Sequence, residues 1–398
     1  MKIPVFLICF LIPALALADP VHIELDAGKF DRPAGTIITA VVTGFPGGAT
    51  GAVIEPGQIG GQIAGGKLFW RLNADLKAGE KRRFTAQAAK VSGSMGCAES
   101  DAAIELNHAG KPVLRFIKKP TAEAKNHEPA FTRTGYIHPL LTPAGREITG
   151  DYPADHVHQH ALFFAWTKTK FEGRKPEFWN QKLQAGQVRY AKTNHAISGP
   201  VFAEFSATNL CEDLTADEPK PVVSETWQVR VWQTGEDNDS FLVDLELTQA
   251  CASDSPLEIE KYHYGGMAIR GNSAWMPGKK GEKPPGSFLT SEDKSRENGN
   301  HSRPEWVSLH GPLEGGHASV TIFPHPENFR HPQWVRLHPS KPYFVFSPMV
   351  EEPFEITPET PYRVAFRYLV EDRKPDPEKL EVVRRNFADP PVARQVAE

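Results

Sequence analysis

Three histidines at alternating positions form the densest group of chemically active side chains in the sequence. They are His156, His158 and His160, and Asp155 comes directly before them. If this segment is extended, the three imidazoles project from one face, because side chains alternate along a strand. Such a face could bind a divalent metal such as Zn²⁺, or supply an acid and a base near neutral pH. The structural alternative is that the histidines hydrogen-bond loop carbonyls at the end of a buried strand.

A second group of polar aromatic residues lies beside two glycines in the segment 260–270. Tyr262 and His263 could move protons, and the permanently charged Arg270 could hold a carboxylate or a polarised hydroxyl. The pair Gly265-Gly266 permits close approach of another backbone. The alternative is a β-bulge at the glycines, with Arg270 in a structural ion pair.

A third group lies in the segment 325–334, directly after a strand-like run. Prolines follow both of its histidines, His325 and His331, and favour a rigid, irregular loop at the end of a sheet. We expect Asn328 and His331 to contact a substrate and Trp334 to stack on a sugar ring. A turn built for shape alone is the alternative.

Composition and missing signatures exclude several classes of function. The net charge is -4 and no long run of like charge occurs, so neither nucleic acid nor an anionic membrane is an expected partner. The sequence has no GxSxG elbow, no GxxxxGKS or GxxxxGKT loop, no HExxH helix and no GxGxxG after a strand. Acyl hydrolases, nucleotidases, zincins and nicotinamide enzymes are therefore not expected.

The elements that must position these groups are strands. Apolar runs are short and alternate with period two, as in 241–247 and 362–370. Such strands bury one face, which predicts an all-β fold of antiparallel sandwiches. A helix is expected only in the tail, where Asp376 is the N-cap of an amphipathic run to Phe387. The Gly- and Pro-rich stretch 276–303 is expected to be a lid over a site or a plain insertion.

The chain divides into four parts on these patterns. Residues 1–18 are predicted to be a secretory signal peptide, which implies a periplasmic or extracellular protein. Residues 19–117 are predicted to form a small immunoglobulin-like sandwich, and 130–372 a large two-sheet β-sandwich. Residues 373–398 are predicted to be a helical tail. No stretch after the signal peptide is long and apolar enough to span a membrane.

Cleavage of the signal peptide would leave Cys97, Cys211 and Cys251, an odd number. An extracytoplasmic location usually permits disulfides. Three cysteines can form at most one intramolecular pair. A Cys211–Cys251 disulfide and three free thiols are both open. No CxxC spacing occurs, so a structural zinc site is not expected.

The large unit resembles a bacterial family labelled PmoA-like, or methane oxygenase PmoA, over residues 130–372. The resemblance rests on 135–140, Thr149, Asp151, Tyr152, Pro153, Asp155, His156, His158, Gly265, Gly266, Arg270, 325–328 and Trp334. Family members more often have two adjacent histidines and then Arg-Gly where this chain has His158, Gln159, His160 and Ala161, which bears on the role of His160. The resemblance implies an uncharacterised exported protein. The family label would imply a membrane enzyme, but the expected mature chain has no membrane helix, so no methane oxidation is predicted. The large unit is also similar to galactose mutarotase-like sandwiches.

These observations favour a secreted carbohydrate-active enzyme. We expect His156, His158 and His325 to act as acid and base, Tyr262 or His263 as proton donor, and Arg270 as an anchor. The expected substrate-binding residues are Asp155, His160, Trp166, Asn328, His331 and Trp334. Because spacing alone places no carboxylate pair, an epimerase, mutarotase or lyase is favoured over a glycoside hydrolase.

Two other functions stay open. One is a non-catalytic carbohydrate-binding module in which the aromatic residues bind the sugar and the histidines are structural. The other is a metal-dependent enzyme with a divalent metal at His156, His158 and His160. No cofactor is otherwise expected. In each case the expected partner is a small molecule or an oligosaccharide.

Overall fold

The computed structural model describes residues 19–234, 239–279 and 281–398, so the predicted signal peptide lies outside the described residues. Strands make up 47% of the described residues and helix 7%, which confirms the all-β prediction. The strands are β1 (Val21–Asp26), β2 (Ile37–Val41), β3 (Gly51–Glu55), β4 (Ile59–Ala64), β5 (Lys67–Arg71), β6 (Lys81–Ala88), β7 (Met95–Glu99), β8 (Ala103–His108), β9 (Lys111–Ile117), β10 (Ile137–Leu140), β11 (Leu162–Ala165), β12 (Thr169–Lys170), β13 (Gly186–Ile197), β14 (Phe202–Asp213), β15 (Lys220–Trp232), β16 (Ser240–Cys251), β17 (Leu257–Ile259), β18 (Gly266–Arg270), β19 (Ser287–Thr290), β20 (Val307–Leu313), β21 (Gly316–Pro324), β22 (Val335–Leu337), β23 (Tyr343–Phe346), β24 (Phe354–Ile356), β25 (Tyr362–Glu371) and β26 (Val392–Val396). The α-helix α1 (Pro377–Ala388) lies between the last two strands.

The N-terminal unit is a closed barrel with the strand order β1-β26-β2-β5-β4-β3-β6. Strand β26 completes the barrel by pairing antiparallel with β1 and parallel with β2. Alternate residues such as Ile23, Ile38 and Trp70 point inward and are fully buried, as the period of a strand requires. The N-terminal unit is therefore a closed barrel that includes β26, whereas an immunoglobulin-like sandwich over 19–117 and a helical tail over 373–398 were predicted.

The large unit is built from two eight-stranded sheets that pack face to face. The first sheet has the order β22-β23-β18-β11-β10-β9-β8-β7, and the second has the order β13-β14-β15-β16-β25-β21-β20-β19. Their inner faces share one hydrophobic core, in which the rings of Phe346 and Phe366 lie 5.5 Å apart. A three-stranded sheet, β12-β17-β24, flanks them. This is the large two-sheet sandwich that the alternating pattern predicts.

The strands between Met95 and Ile117 belong to the large unit, whereas the sequence analysis grouped them with the N-terminal unit. Strand β9 pairs with β10, and β7 and β8 extend the same sheet to its edge. Side chains such as Leu106 and Phe116 enter the large core. The division between the units therefore falls between β6 and β7, because β9 pairs with β10 across residues 118–129, which separate the two predicted units.

The predicted C-terminal helix is present as α1. The carboxylate of Asp376 accepts hydrogen bonds from the backbone N–H groups of Glu378 and Lys379, and Pro377 opens the first turn. Leu380 anchors the helix to the second sheet by packing into a buried cluster with Trp306, Phe323 and Leu369. Among the described residues, no helix is both long and apolar enough to cross a membrane.

The stretch 276–303 holds a strand that its composition did not predict. Strand β19 pairs with β20 and so adds an edge to the second sheet. The side chain of Arg296 folds back over Phe288, with the guanidinium carbon 4.4 Å from the ring centroid. Apart from Lys280, which lies outside the described residues, this stretch is therefore an ordered part of the large unit.

The three cysteines of the described residues are free thiols. Cys211 and Cys251 both pair with Val223, from opposite sides of β15. Two neighbouring strands lie about 4.8 Å apart, so two intervening spacings separate these cysteines by roughly 10 Å, beyond the reach of a disulfide. Of the two alternatives, the geometry favours free thiols.

Candidate functional site

The outer face of the first sheet carries a group of charged and aromatic side chains. Phe346 points inward, onto the second sheet, and pairs with Val335 and Met267. Since side chains alternate, the neighbouring positions of the same strands point outward. The register thus places Arg270 beside Tyr343. On the other side of β23, Arg336 of the edge strand β22 lies beside Val345.

The segment 153–159 that covers this face is a pair of turns, so the prediction of an extended strand is wrong. The backbone N–H of His156 donates to the carbonyl of Pro153, and that of Gln159 donates to the carbonyl of His156. In this conformation the rings of His156 and His158 lie together, with centroids 5.6 Å apart. A proline followed by polar residues favours the turns over a strand.

His160 points away from its two neighbours, into the protein. It is fully buried, and its two ring nitrogens hydrogen-bond the carboxylate of Asp151 at 3.0 Å and the side-chain carbonyl of Gln181 at 2.8 Å. The predicted roles of His160 in binding a substrate or a metal are therefore wrong, because neither nitrogen is accessible. Within the described ranges, no three His, Cys, Asp or Glu side chains are arranged to hold a metal ion.

Asp155 is the centre of the site. Arg270 donates to both of its carboxylate oxygens, from Nη2 to Oδ1 at 2.7 Å and from Nη1 to Oδ2 at 3.2 Å. The Lys341 Nζ lies 2.5 Å from Oδ2. Nδ1 of His156 donates to the same oxygen at 2.8 Å. Burial acts to raise the pKa of Asp155, but the hydrogen bonds from His156, Arg270 and Lys341 hold it well below its usual range. Asp155 is therefore a permanent carboxylate that positions its neighbours.

Arg270, which binds this carboxylate, is itself buried. Its side chain is only 1% exposed, and Nη1 also donates to Oε1 of Gln159 at 2.9 Å. The predicted anchor is thus present, but its bidentate partner is Asp155 of the protein itself. The ion pair that the sequence analysis kept as an alternative is the one observed.

The bond to Asp155 determines what His156 can do. A carboxylate only accepts hydrogen bonds, so Nδ1 of His156 carries the proton and Nε2 has a free lone pair in the neutral ring. The His156 side chain is one-third exposed, which leaves this nitrogen accessible. An aspartate that orients a histidine in this way is a common arrangement for a general base.

His338 faces His156 and was not singled out in the sequence. Their ring centroids lie 6.0 Å apart. Nδ1 of His338 accepts hydrogen bonds from the backbone N–H groups of Ser340 and Lys341, both at 3.2 Å. Burial, with the nearby charge of Arg336, lowers the pKa of His338 to about 3. The ring is therefore neutral near pH 7, with its proton on Nε2.

His158 is also held in the neutral form. Burial, followed by the neighbouring imidazoles of His156 and His160, lowers its pKa to about 4. It lies on the same side of the turn as His156 and adds a second neutral imidazole to the site.

The aromatic segment 262–264 lies over the other end of this face. Gly266 makes the close approach possible, since a Cβ there would lie 2.4 Å from the carbonyl oxygen of Phe346. The ring of Tyr264 contacts that of Trp179, which in turn contacts Tyr343. Burial raises the pKa of Tyr264 to about 12, so this phenol keeps its proton.

The two residues predicted as proton donors, Tyr262 and His263, are at the rim. The Tyr262 ring packs on His263, with centroids 4.3 Å apart, and Lys168 Nζ lies 4.4 Å from its centre. Partial desolvation and then the charge of Arg336 lower the pKa of His263, although its side chain is largely exposed. These residues border the site, whereas His156 and His338 are at its centre.

The structure does not bring the segment 325–331 to this site. The ring of His325 packs on Phe387 of α1, with centroids 5.0 Å apart. Asn328 exchanges two hydrogen bonds with the backbone of Ala365 in the second sheet. His331 lies near His325, whose charge adds to burial in lowering the His331 pKa. The structure therefore does not group His325, Asn328 and His331 with His156, as was predicted, because their loop packs on the second sheet and α1.

The two predicted stacking residues have different environments. Trp166 is 1% exposed, donates to Oε1 of Gln249 at 2.6 Å and packs in the core, so it cannot stack on a sugar. Trp334 is partly exposed and directly precedes β22, where its carbonyl accepts from Ser347. Alternation places its side chain on the same outer face as Arg336. Only Trp334 of this pair remains a candidate.

Residues 103–384 match the model of a family of unknown function, DUF6807, while the resemblance to the PmoA-like family stays a prediction. No curated protein matches the sequence. Among solved structures, the chain is similar to a heparan sulfate lyase HepC mutant from Pedobacter heparinus, with 10% sequence identity and a TM-score of 0.34. That alignment covers 73% of this chain and 38% of the lyase, so the chain spans well under half of that protein's length. A likeness at this level carries no conclusion about function.

Proposed function

The chain belongs to the DUF6807 family, whose function is unknown, and we propose that it is a carbohydrate-active enzyme that moves a proton on a sugar, as epimerases, mutarotases and lyases do. The observation that carries this proposal is the pair formed by Asp155 and His156, joined at 2.8 Å. This pair leaves the Nε2 lone pair of an accessible imidazole directed away from the carboxylate. Nε2 of His156 is the proton acceptor in our proposal.

His338 supplies the complementary group. Its neutral ring carries an N–H at Nε2, and its centroid lies 6.0 Å from that of His156. In the proposed reaction His156 takes a proton from the sugar while His338 hydrogen-bonds the oxygen on which negative charge develops. A neutral donor aimed at a developing charge stabilises it without first having to give up a proton. Trp334, on the same face, is the proposed surface for the sugar ring.

Ordinary glycoside hydrolysis fits this site less well, because it needs two carboxyl groups, one on each side of the scissile bond. Among the described residues of the site centre, Asp155 is the carboxylate that faces the histidines, and it is already bound by Arg270 and Lys341. A carboxylate with a lowered pKa cannot donate a proton near neutral pH. Chemistry that relies on imidazoles matches the observed groups better.

Proton NMR in D₂O tests the proposal, because it detects each of the three reactions by its own spectral change. A panel of free sugars, methyl glycosides and oligosaccharides is incubated with the purified protein. Loss of a C–H signal reports epimerisation, new alkene signals report elimination, and exchange between anomers reports mutarotation. We expect one of these changes for at least one sugar. His156→Ala should slow it about 100-fold or more, the scale of a lost general base.

The matched control is His325→Ala, which removes an imidazole that packs on Phe387 of α1. This variant should react as fast as the parent. Equal rates for the parent and a folded His156→Ala protein would contradict the proposal. Calorimetric binding of a sugar without any NMR change would also contradict it and would support a non-catalytic binding module.

A further inference from the structure

We infer that the substrate of this site is a sugar that carries a carboxylate, such as a uronic acid residue, and that Arg336 binds this carboxylate. The inference rests on the proposed function because it concerns the same site. It goes beyond that function by naming a substrate class and the residue that selects it.

The position of Arg336 is determined by the register of the edge strand. Its neighbours Val335 and Leu337 are fully buried, and Arg336 pairs with Val345, so its side chain takes the outer face. Trp334 and His338 flank it at the alternating positions on either side. The guanidinium therefore lies between the proposed sugar platform and the neutral imidazole.

Arg336 is available to bind a carboxylate of the substrate. Arg270 and Lys341 are both engaged by Asp155, whereas Arg336 forms no ion pair with any carboxylate of the described residues. Its one hydrogen bond there is a long one, at 3.5 Å, from Nη1 to the carbonyl of its neighbour Leu337. Arg270 and Lys341 thus share the carboxylate of Asp155, whereas the positive charge of Arg336 has no carboxylate partner among the described residues.

Nearby polar atoms also lack partners within the part of the chain that the structure describes. They are the buried hydroxyl of Tyr343, Nε of Arg270 and Nε2 of His301. Tyr343 pairs with Arg270 and lies two positions along β23 from Val345, the partner of Arg336. The backbone N–H of His301 donates to the carbonyl of Val335, next to Arg336. Buried polar atoms are usually satisfied, so a polar ligand at this place would supply the missing bonds.

A carboxylate is the ligand that fits an unpaired guanidinium best. The planar guanidinium of an arginine donates two parallel hydrogen bonds to a carboxylate. Such charge-assisted bonds are about twice as strong as neutral ones. Neutralising the carboxylate of a sugar also acidifies the adjacent C–H group, because the charge of the resulting carbanion can spread onto the bound oxygens. The same arginine would therefore both select the substrate and assist the proton transfer to His156.

Binding of paired ligands tests the inference independently of turnover. The ligands are methyl glucuronide, galacturonide and mannuronide, each compared with the neutral methyl hexoside that differs only at C6. Isothermal calorimetry measures all six with the parent, Arg336→Gln and Arg336→Lys. We expect the parent to prefer at least one uronide by about tenfold or more, the effect of a single good ion pair. Arg336→Gln should lose the preference and Arg336→Lys should keep part of it.

Arg363→Gln is the control, since Arg363 is exposed on the second sheet, where it donates to Thr248. It should keep the full preference, and circular dichroism confirms that each variant is folded. The inference is overturned if the parent binds both members of every pair equally, if it binds none of the six, or if Arg336→Gln keeps the preference.

The two proposals fail in different ways. A uronide preference that depends on Arg336, in a protein that changes no sugar, supports the inference and contradicts the proposed enzyme. Conversely, turnover of neutral sugars that depends on His156 but is unaffected by Arg336→Gln supports the enzyme and overturns the inference. The His156→Ala variant should bind uronides with the parent's preference in either case.

Discussion

The rings of His156 and His338 face each other at 6.0 Å between centroids, yet hydrogen bonds assign them opposite chemical roles. The carboxylate of Asp155 binds Nδ1–H of His156 and leaves a basic Nε2. Two backbone N–H groups bind Nδ1 of His338 and leave an Nε2–H donor. Two residues of the same type can thus act as proton acceptor and hydrogen-bond donor in one site, because their Nδ1 partners differ.

The protonation state of His338 is the most direct prediction from this arrangement. Burial and the charge of Arg336 lower its pKa to about 3, so the ring should be neutral at pH 6, with its proton on Nε2. Selective ¹⁵N labelling of histidine and long-range ¹H–¹⁵N correlation spectra distinguish the two tautomers and the imidazolium. The spectrum of His338→Gln identifies which signal belongs to His338. A doubly protonated ring at pH 6 would contradict the structure.

The ion cluster around Asp155 should contribute to stability. Asp155→Asn removes the charge partner of Arg270, which is almost fully buried, and we expect a loss of about 2–4 kcal/mol in the free energy of unfolding. Urea denaturation measures the loss. The control is Asp101→Asn, since Asp101 is 97% exposed and its pair with Lys119 should contribute less than about 1 kcal/mol. Equal effects of the two substitutions would show that the cluster is not stabilising.

The contribution of Asp155 to the free energy of unfolding should depend on pH, and Asp155→Asn measures it. The folded pKa of Asp155 lies below its unfolded value of about 3.9, so the contribution of this group is complete above that value. It is lost as the pH falls through the folded pKa. The difference in stability between the parent and Asp155→Asn should therefore stay constant from about pH 8 to 5 and shrink below about pH 4. A difference that instead shrinks between pH 5 and 8 would assign the effect to another group.

The strands and the helix could be predicted from sequence because their signals are local. Residues Phe241, Val243 and Leu245 alternate with polar ones and are buried as expected, and Asp376 caps α1. Which sheet a strand joins is not a local property. Strand β9 carries no local signal that assigns it to either unit, and its pairing with β10 and the packing of Phe116 place it in the large unit.

The site was predictable only in part, for a similar reason. His156, His158 and Arg270 stood out as chemically active types, and the structure brings them together. Clustering in sequence misled at His160, because a turn replaces the strand whose alternation was assumed. His338 and Lys341 come from a part of the chain with no motif. The alternation of Trp334, Arg336 and His338, over and on either side of β22, is the signal that could have revealed His338.

Trp166 and Trp334 should respond differently to substitution by leucine. Trp166→Leu leaves a cavity in the core and removes the donor to Gln249, so we expect a loss of about 3–5 kcal/mol in the free energy of unfolding. Trp334→Leu changes a partly exposed residue and should cost about 1 kcal/mol or less, while weakening sugar binding. Urea denaturation and calorimetry measure the two effects. Unchanged sugar affinity in Trp334→Leu would remove Trp334 from the site.

We expect Arg296 to act as a positioning residue for His338. Its guanidinium donates to the backbone carbonyls of His338, Lys341 and Gly286, and so holds the turn that carries His338. Arg296→Gln should lower the rate of sugar conversion about tenfold or more through misplacement of that turn. It should also destabilise the protein by about 1–3 kcal/mol, because buried carbonyls lose their partners.

Arg330→Gln separates the two effects of that substitution. Arg330 likewise donates to three backbone carbonyls, those of Pro348, Glu352 and Pro353, but in the loop away from His338. Both variants should lose stability, as measured by urea denaturation. Only Arg296→Gln should change the ¹⁵N signals of His338 and reduce kcat at a temperature where both proteins are folded. If Arg296→Gln keeps the parent's kcat and the parent's His338 spectrum, the guanidinium only stabilises the fold and does not position the histidine.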